Sequence, residues 1–191
     1  MSRPQGQTLT KKAAIEAAIA CLQQEGESAL GVNRIARELG IQPPSMYKHF
    51  DGNRGLRRAV ALEGWQRLVT ACVNSSAESK DPQTSLKGVG RAMRGFAQQN
   101  PALYTVVTST QIELSDPDFI PIVQTVISFY TVILEPLGFS QDEIVHAVRM
   151  LHAAFHGFIE AEKAGLFLLP QSQDESYEWM MNKLIEVLIR S

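Results

Sequence analysis

Apolar residues recur at spacings of three and four along most of the chain, the period of a helix with one buried face. The first stripe is Ala14, Ile15, Ala18, Ile19 and Leu22, with Thr8 or Thr10 placed to cap its start and Gly26 to end it. Ile35, Ala36 and Leu39 mark a second, short helix stopped by Gly40. Pro43 and Pro44 open a third, anchored by Met46 and Phe50. A long helix is expected over about 54–77, with Leu56, Val60, Leu68, Ala71 and Cys72 facing inward. Leu86, Val89, Met93 and Phe96 predict another over 83–99, and Leu103, Val106 and Val107 one over 101–110. After Asp116-Pro117 a markedly apolar helix runs to about position 134. Ser140 and Glu143 read as a capping box for a helix over 141–164, and Tyr177, Met181, Leu184, Ile185 and Leu188 line a last one over 174–189. Only 106–110 has high β-propensity, too short a stretch to change the class, so the pattern predicts an all-α fold of about nine helices.

Composition narrows this picture. At 191 residues and 45% apolar content, the chain can build one compact helical domain, or a small module joined to a larger one. The most apolar run, 119–134, is interrupted by Pro121, Gln124, Thr125 and Ser128, so no membrane span is expected, and the start lacks the pattern of a secretory signal. Cys21 and Cys72 are far apart without metal-type spacing; they predict reduced thiols and a cytoplasmic setting. A net charge of −2 argues against indiscriminate nucleic-acid binding, but the charge is uneven. Residues 1–64 hold 9 Lys or Arg against 6 Asp or Glu, and the remainder 9 against 14. A basic N-terminal module on an acidic body suits contact with DNA through one end.

Residues 32–50 supply the chemistry for that contact. Two short helices joined by a tight turn at Gly40 make a helix-turn-helix, with small Ala36 allowing a close crossing and Met46 filling the space beneath the second helix. Ser45, Tyr47, Lys48 and His49 cannot all face inward, and their hydroxyls, cation and imidazole suit phosphate oxygens and base edges. Asn33 and Arg34 approach from the helix before, and Arg54, Arg57 and Arg58 cluster at the start of the long helix. A catalytic site would need paired carboxylates or a nucleophile with its base, and no such set, Gly-rich phosphate loop or cofactor motif can be named.

The stretch Gly-Ile-x-x-x-Ser-Met-Tyr-x-His-Phe, preceded by Ile-Ala-x-x-Leu, resembles the tetracycline-repressor (TetR) family of bacterial transcription regulators, strongly over about 8–65. The resemblance implies a helix-turn-helix DNA-binding domain over 1–53 and an effector-binding and dimerisation domain over 54–191. It implies a homodimer, formed through the last two long helices, that binds palindromic double-stranded DNA, a repressor released by a small molecule. The 43–49 helix would then enter the major groove, with Pro43, Pro44 and Ser45 at base edges and Tyr47, Lys48 and His49 on the backbone. Two positions depart from the family pattern. Gly31 stands where many members carry a Ser or Thr that starts the first motif helix, and Asn53 stands where members usually carry a phosphate-contacting Lys, with Arg54 beside it as a substitute.

The C-terminal half offers two further patterns. Met93, Phe96, Tyr104, Phe129 and Phe155 can line an apolar pocket in which Gln111, His152 and His156 orient a ligand. His152, His156 and Glu160, at successive intervals of four, also suit an alternative reading as a metal-dependent enzyme or metal sensor, although no second cluster of ligands supports it. Phe155-His156-Gly157 resembles a TetR subgroup marked by Trp-His-Gly in this helix, here with Phe in place of Trp. The last helix is apolar over more of its surface than one core stripe needs, which suits a partner helix.

Overall fold

The computed structural model describes residues 9–76 and 79–190. Among them lie nine α-helices, two short 3-10 turns and no strand: α1 Lys11–Glu25, α2 Val32–Glu38, α3 Pro43–Tyr47, α4 Gly52–Ser76, α5 Pro82–Gln99, α6 Pro101–Ser109, α7 Ile120–Leu134, α8 Gln141–Lys163 and α9 Gln173–Arg190. The capping residues do what their chemistry predicts. The Thr10 hydroxyl accepts the Ala13 amide at 3.1 Å, while Thr8, the alternative cap, and residue 77, the expected end of α4, lie outside the described residues. Ser140 and Glu143 cap α8 reciprocally, Glu143 accepting the Ser140 amide at 2.8 Å and Ser140 accepting the Glu143 amide at 3.4 Å.

The chain packs as two compact units, one of Met1–Arg67 with Gln99–Phe119, the other of Leu68–Gln98 with Ile120–Ser191. In the first, α1 packs on α2 and α6, and α2 on α3. Its core is Ala18, Leu22, Val32, Ile35, Met46, Leu56, Val60, Leu103 and Val106, all fully buried. In the second, α8 lies between α7 and α9. Gly90 of α5 matters there: Met181 Sδ and the Phe155 ring fill the position a Cβ would take, and the Gly90 carbonyl accepts the Tyr177 hydroxyl at 2.8 Å. Helices α5, α8 and α9 therefore meet around one glycine that has no room for a side chain.

The apolar helix departs from expectation in one respect. By length and composition alone, Ile120–Leu137 could cross a membrane, the one such stretch among the described residues. Pro121 does not interrupt it, because it sits in the first turn of α7, where no amide partner is forfeited. Its Ile122, Tyr130, Ile133 and Leu134 are buried within the protein.

Candidate nucleic-acid interface

The turn between α2 and α3 is built by backbone rules. Gly40 takes a left-handed φ of 64°. Its amide then reaches the Arg37 carbonyl at 3.1 Å, and the Ile41 amide reaches the Ala36 carbonyl at 3.0 Å. These paired bonds close the end of α2 and send the chain into α3. Ala36, at 1% exposure, lets α3 approach, and the fully buried Met46 pins it. Regular helix stops at Tyr47, two residues short of the expected 43–49; the Lys48 amide caps on Met46, and the His49 and Phe50 amides both return to the Met46 carbonyl. Pro43 and Pro44 have no N–H, and the Ser45 amide is taken by the Gln42 carbonyl at 3.0 Å. The first turn of α3 thus offers no spare backbone donor, and what it presents outward is side chains.

Those side chains divide by their partners. Asn33, Pro44, Tyr47, Lys48, Asn53 and Arg54 are exposed, and Pro43, Ser45 and His49 are half-buried, with the His49 ring tilted against Phe50. Among the described residues, Lys48 and Arg54 have no carboxylate within ion-pair reach, and neither has Arg37, an exposed residue one turn beyond Asn33 on α2. Arg37 emerges as a candidate only from the fold, although its interval of four from Asn33 is a signal that the sequence carries. Arg34 behaves differently. Its guanidinium pairs with both carboxylate oxygens of Glu25 and with Glu38 at 3.0 Å, and these bonds hold it further into its charged form than usual. It ties α1 to α2, with Nε and both terminal nitrogens donating within the protein.

The arginines at the start of α4 also depart from expectation. Arg57 pairs with Glu27 at 2.7 Å and donates to Ser109 and Thr110. Arg58 grips Asp116 at 2.5 and 2.8 Å and Asp118 at 2.7 Å. The Arg58 hydrogen bonds lower the Asp116 pKa. That stabilisation is present above the ordinary carboxylate range and disappears as pH falls through the lowered value. Of the three arginines in this cluster, only Arg54 presents an uncommitted cation.

The departures at 31 and 53 meet at the start of α2. Gly31 precedes α2 without a side-chain cap. The Asn53 side-chain oxygen accepts the Val32 amide at 2.9 Å, a donor that a Ser or Thr side chain at 31 would not reach as its usual N2 or N3 target. Asn53 is therefore a cap supplied from α4, and it fixes α2 to the start of the long helix. Replacing Asn53 with Ala is expected to cost about 1 kcal/mol of stability and to loosen α2. Gly31→Ser in that background should restore part of the loss, because the space around a Cβ at 31 is open to 4.0 Å and φ −122° suits a serine. Thermal melts of the two variants check this; an unchanged melt for Asn53→Ala would show the cap is inert.

The pocket candidates do not gather in one unit. Tyr104 is fully buried and Gln111 exposed, both in the first unit. Met93, Phe96, Phe129, His152, Phe155 and His156 lie in the second. Phe155 is core, its ring 6.1 Å from that of Tyr177. His152 and His156 stack, ring centroids 5.8 Å apart. His152 keeps solvent exposure, yet the protein atoms around it, and then His156, lower its pKa. Glu160 turns to Lys163 at 2.8 Å, and no group of three His, Cys, Asp or Glu side chains among the described residues is placed to hold a metal. The alternative reading of 152, 156 and 160 as a metal-ligand set finds no such group among the described residues.

Comparison with known proteins agrees with this architecture. Residues 86–184 match the family described as tetracyclin repressor-like, C-terminal domain, and residues 14–60 match bacterial regulatory proteins, tetR family. An uncharacterised HTH-type transcriptional regulator of Mycobacterium tuberculosis, Rv0681, is 25% identical over 158 residues, 83% of this chain and 72% of that protein. A TetR variant of Acinetobacter baumannii AYE in complex with minocycline superposes with a TM-score of 0.73 at 23% identity, covering 95% of this chain and 97% of that one. BioQ with its double-stranded DNA operator gives a TM-score of 0.69 at 19% identity, covering 96% and 99%.

Proposed function

The chain belongs to the TetR family of bacterial regulatory proteins, DNA-binding regulators of transcription with a helix-turn-helix, and from that premise we propose that it is a repressor that binds a palindromic operator as a homodimer and is released by a small molecule. The observation that carries this reading is the set of exposed, uncommitted groups on α2, α3 and the start of α4: Asn33, Arg37, Tyr47, Lys48 and Arg54. Every other arginine in the stretch is already paired within the protein. In this reading Lys48, Arg54 and Arg37 neutralise phosphates, Tyr47 and His49 orient the helix on the backbone, and Pro43, Pro44 and Ser45 lie at base edges. DNA reading is assigned to residues 1–53, and effector binding and dimerisation to 54–191, in a cytoplasmic protein.

The second copy is assigned to the outer faces of α8 and α9. Trp179 is 67% and Val187 65% exposed, two turns apart on α9, and α8 exposes Met150, Ala153 and Gly157 at intervals of three and four. Large apolar side chains left in water beside small ones that permit close approach suit a helix bundle between two copies. A two-fold axis would set two α3 helices about 34–36 Å apart, or somewhat more, to match successive major grooves. An effector acts if it binds more tightly to an arrangement in which that spacing no longer fits. The minocycline complex and the operator complex of the structural relatives support the small-molecule and DNA halves of the reading.

Trp179→Glu tests the dimer. The site is already exposed, so the monomer should keep its fold, while a charge in the interface should shift sedimentation to a single chain and remove most operator affinity. A Trp179→Glu protein that sediments as a dimer and binds normally would remove α9 from the interface.

A further inference from the structure

We infer that Tyr130, Cys72 and Val89 mark the floor of the effector site, and that it takes a neutral, largely apolar small molecule whose carbonyl or ether oxygen accepts a hydrogen bond from the Tyr130 phenol. This deepens the effector reading proposed above and rests on it. All three residues belong to the second packing unit and come from three helices, Cys72 from α4, Val89 from α5 and Tyr130 from α7. The Cys72 thiol donates to the Val89 carbonyl at 3.9 Å, and Cys72 lies close enough to Tyr130 to act on it electrostatically.

The Tyr130 hydroxyl is the decisive group. The residue is only 7% exposed, and among the described residues its oxygen makes no hydrogen bond. The other buried phenol of this unit, Tyr177, is satisfied by the Gly90 carbonyl. A buried hydroxyl normally finds a partner, because leaving water without one is costly. No side-chain oxygen or nitrogen in the described protein is both sealed from solvent-sized space and unpartnered. The Tyr130 oxygen is therefore open to a solvent-sized molecule, although the residue as a whole is packed.

The chemistry around it selects the ligand. Burial raises the phenol's pKa, so it remains a neutral donor. Burial pushes the Cys72 thiol up to about 12, so it is no nucleophile and the ligand is held without a covalent bond. The guanidinium groups of α5 are committed elsewhere, Arg91 to Glu178 and Arg94 to Glu162 and Asp174. A neutral phenol donor beside an unreactive thiol, with the guanidinium groups of α5 taken, favours an uncharged ligand that offers an acceptor.

The test uses 6-propionyl-2-(dimethylamino)naphthalene, a neutral dye with one carbonyl whose emission moves to the blue in an apolar, water-poor site. Titrated into the full chain, it should bind with a blue shift. Tyr130→Phe should weaken binding about 3- to 10-fold, the effect of one neutral hydrogen bond, and leave the melting temperature unchanged, because the hydroxyl makes no bond within the protein. Equal affinity for the two proteins, or no binding to folded wild-type protein, overturns the site. Adding the dye to the protein–operator complex separates the two claims. Tyr130-dependent binding that does not release DNA upholds the site and removes its effector role. Release of DNA that ignores Tyr130→Phe upholds an effector and overturns this site.

Discussion

Tyr47→Ala together with Lys48→Ala is expected to lower operator affinity at least roughly 100-fold, while the dimer and its melting temperature stay as they are. Tyr47 is 56% exposed and Lys48 is exposed with no carboxylate partner among the described residues, so neither contributes much to the fold. Exposed substitutions of this kind change stability by no more than about 0.5 kcal/mol. On DNA the balance differs. A hydrogen bond to a charged group contributes about 1.5–3 kcal/mol, and in a symmetric dimer each substitution acts twice. The lysine should also leave its mark on salt dependence, lowering the slope of log affinity against log salt by about 1 for each phosphate it no longer neutralises. Gel-shift titrations at two salt concentrations read both effects. Unchanged affinity in the double variant would show that α3 does not face the DNA. The backbone reinforces the expectation: with Pro43 and Pro44 at its start, α3 has no amide donors with which to replace the missing side chains.

The largest effect on stability is expected at Arg94. Its side chain is 11% exposed and joins three helices. Nε and Nη2 grip the Glu162 carboxylate of α8 at 3.0 and 2.5 Å, and Nη2 also meets Asp174, in the first turn of α9, at 2.7 Å. The guanidinium lies 5.0 Å from the Tyr177 ring centroid and 5.9 Å from that of Phe158. Arg94→Ala removes the cation and leaves Glu162, 17% exposed, as a nearly buried carboxylate with nothing to balance it. Stranding one member of a buried pair costs about 3–5 kcal/mol. Asp174 is 82% exposed and returns to water, which places the expectation at the lower end, about 3 kcal/mol. Arg91 is the internal control. It makes an equally well-formed pair with Glu178, two bonds of 2.7 Å, but is itself 57% exposed, so Arg91→Ala should cost less than about 1 kcal/mol. Urea unfolding of the two variants measures the contrast. Equal small losses would show that Arg94 is as solvated as Arg91.

What the sequence reveals and what it hides follow from distance along the chain. Helical stripes repeat within a few residues, so Leu86, Val89, Met93 and Phe96 announce the buried face of α5, and all four are buried. The Ser140–Glu143 capping box and the Gly40 turn are equally local, and both form as expected. Long-range pairings leave no such trace. Nothing within a few residues of Arg58 indicates Asp116, and the Arg57 and Arg58 cluster reads as a phosphate-seeking end until the fold supplies its partners. The partners of Arg34 are half hidden for the same reason: Glu38 is one turn away, but Glu25, which takes two of its donors, sits on another helix. The departures at Gly31 and Asn53 are visible separately; that Asn53 accepts the first amide of the helix that Gly31 leaves without a side-chain cap is a hydrogen bond across 21 positions. The proposed effector site is least legible, because apolar residues such as Phe155 that pack a core have the same pattern as those that line a cavity. Tyr130 is distinguished by a buried hydroxyl that makes no hydrogen bond among the described residues.

The central claim is that α2 and α3 read a specific duplex on behalf of a dimer. Selection of bound duplexes from a random DNA pool, followed by binding of the winner at about 50 and about 200 mM salt, tests it most directly. The expected result is a palindromic winner with two half-sites about one helical turn apart or somewhat more, and an affinity that falls steeply, by about 10³-fold or more, between those salt concentrations if six or more phosphates are contacted. A folded, dimeric protein that enriches no sequence, or whose binding ignores salt, would contradict it.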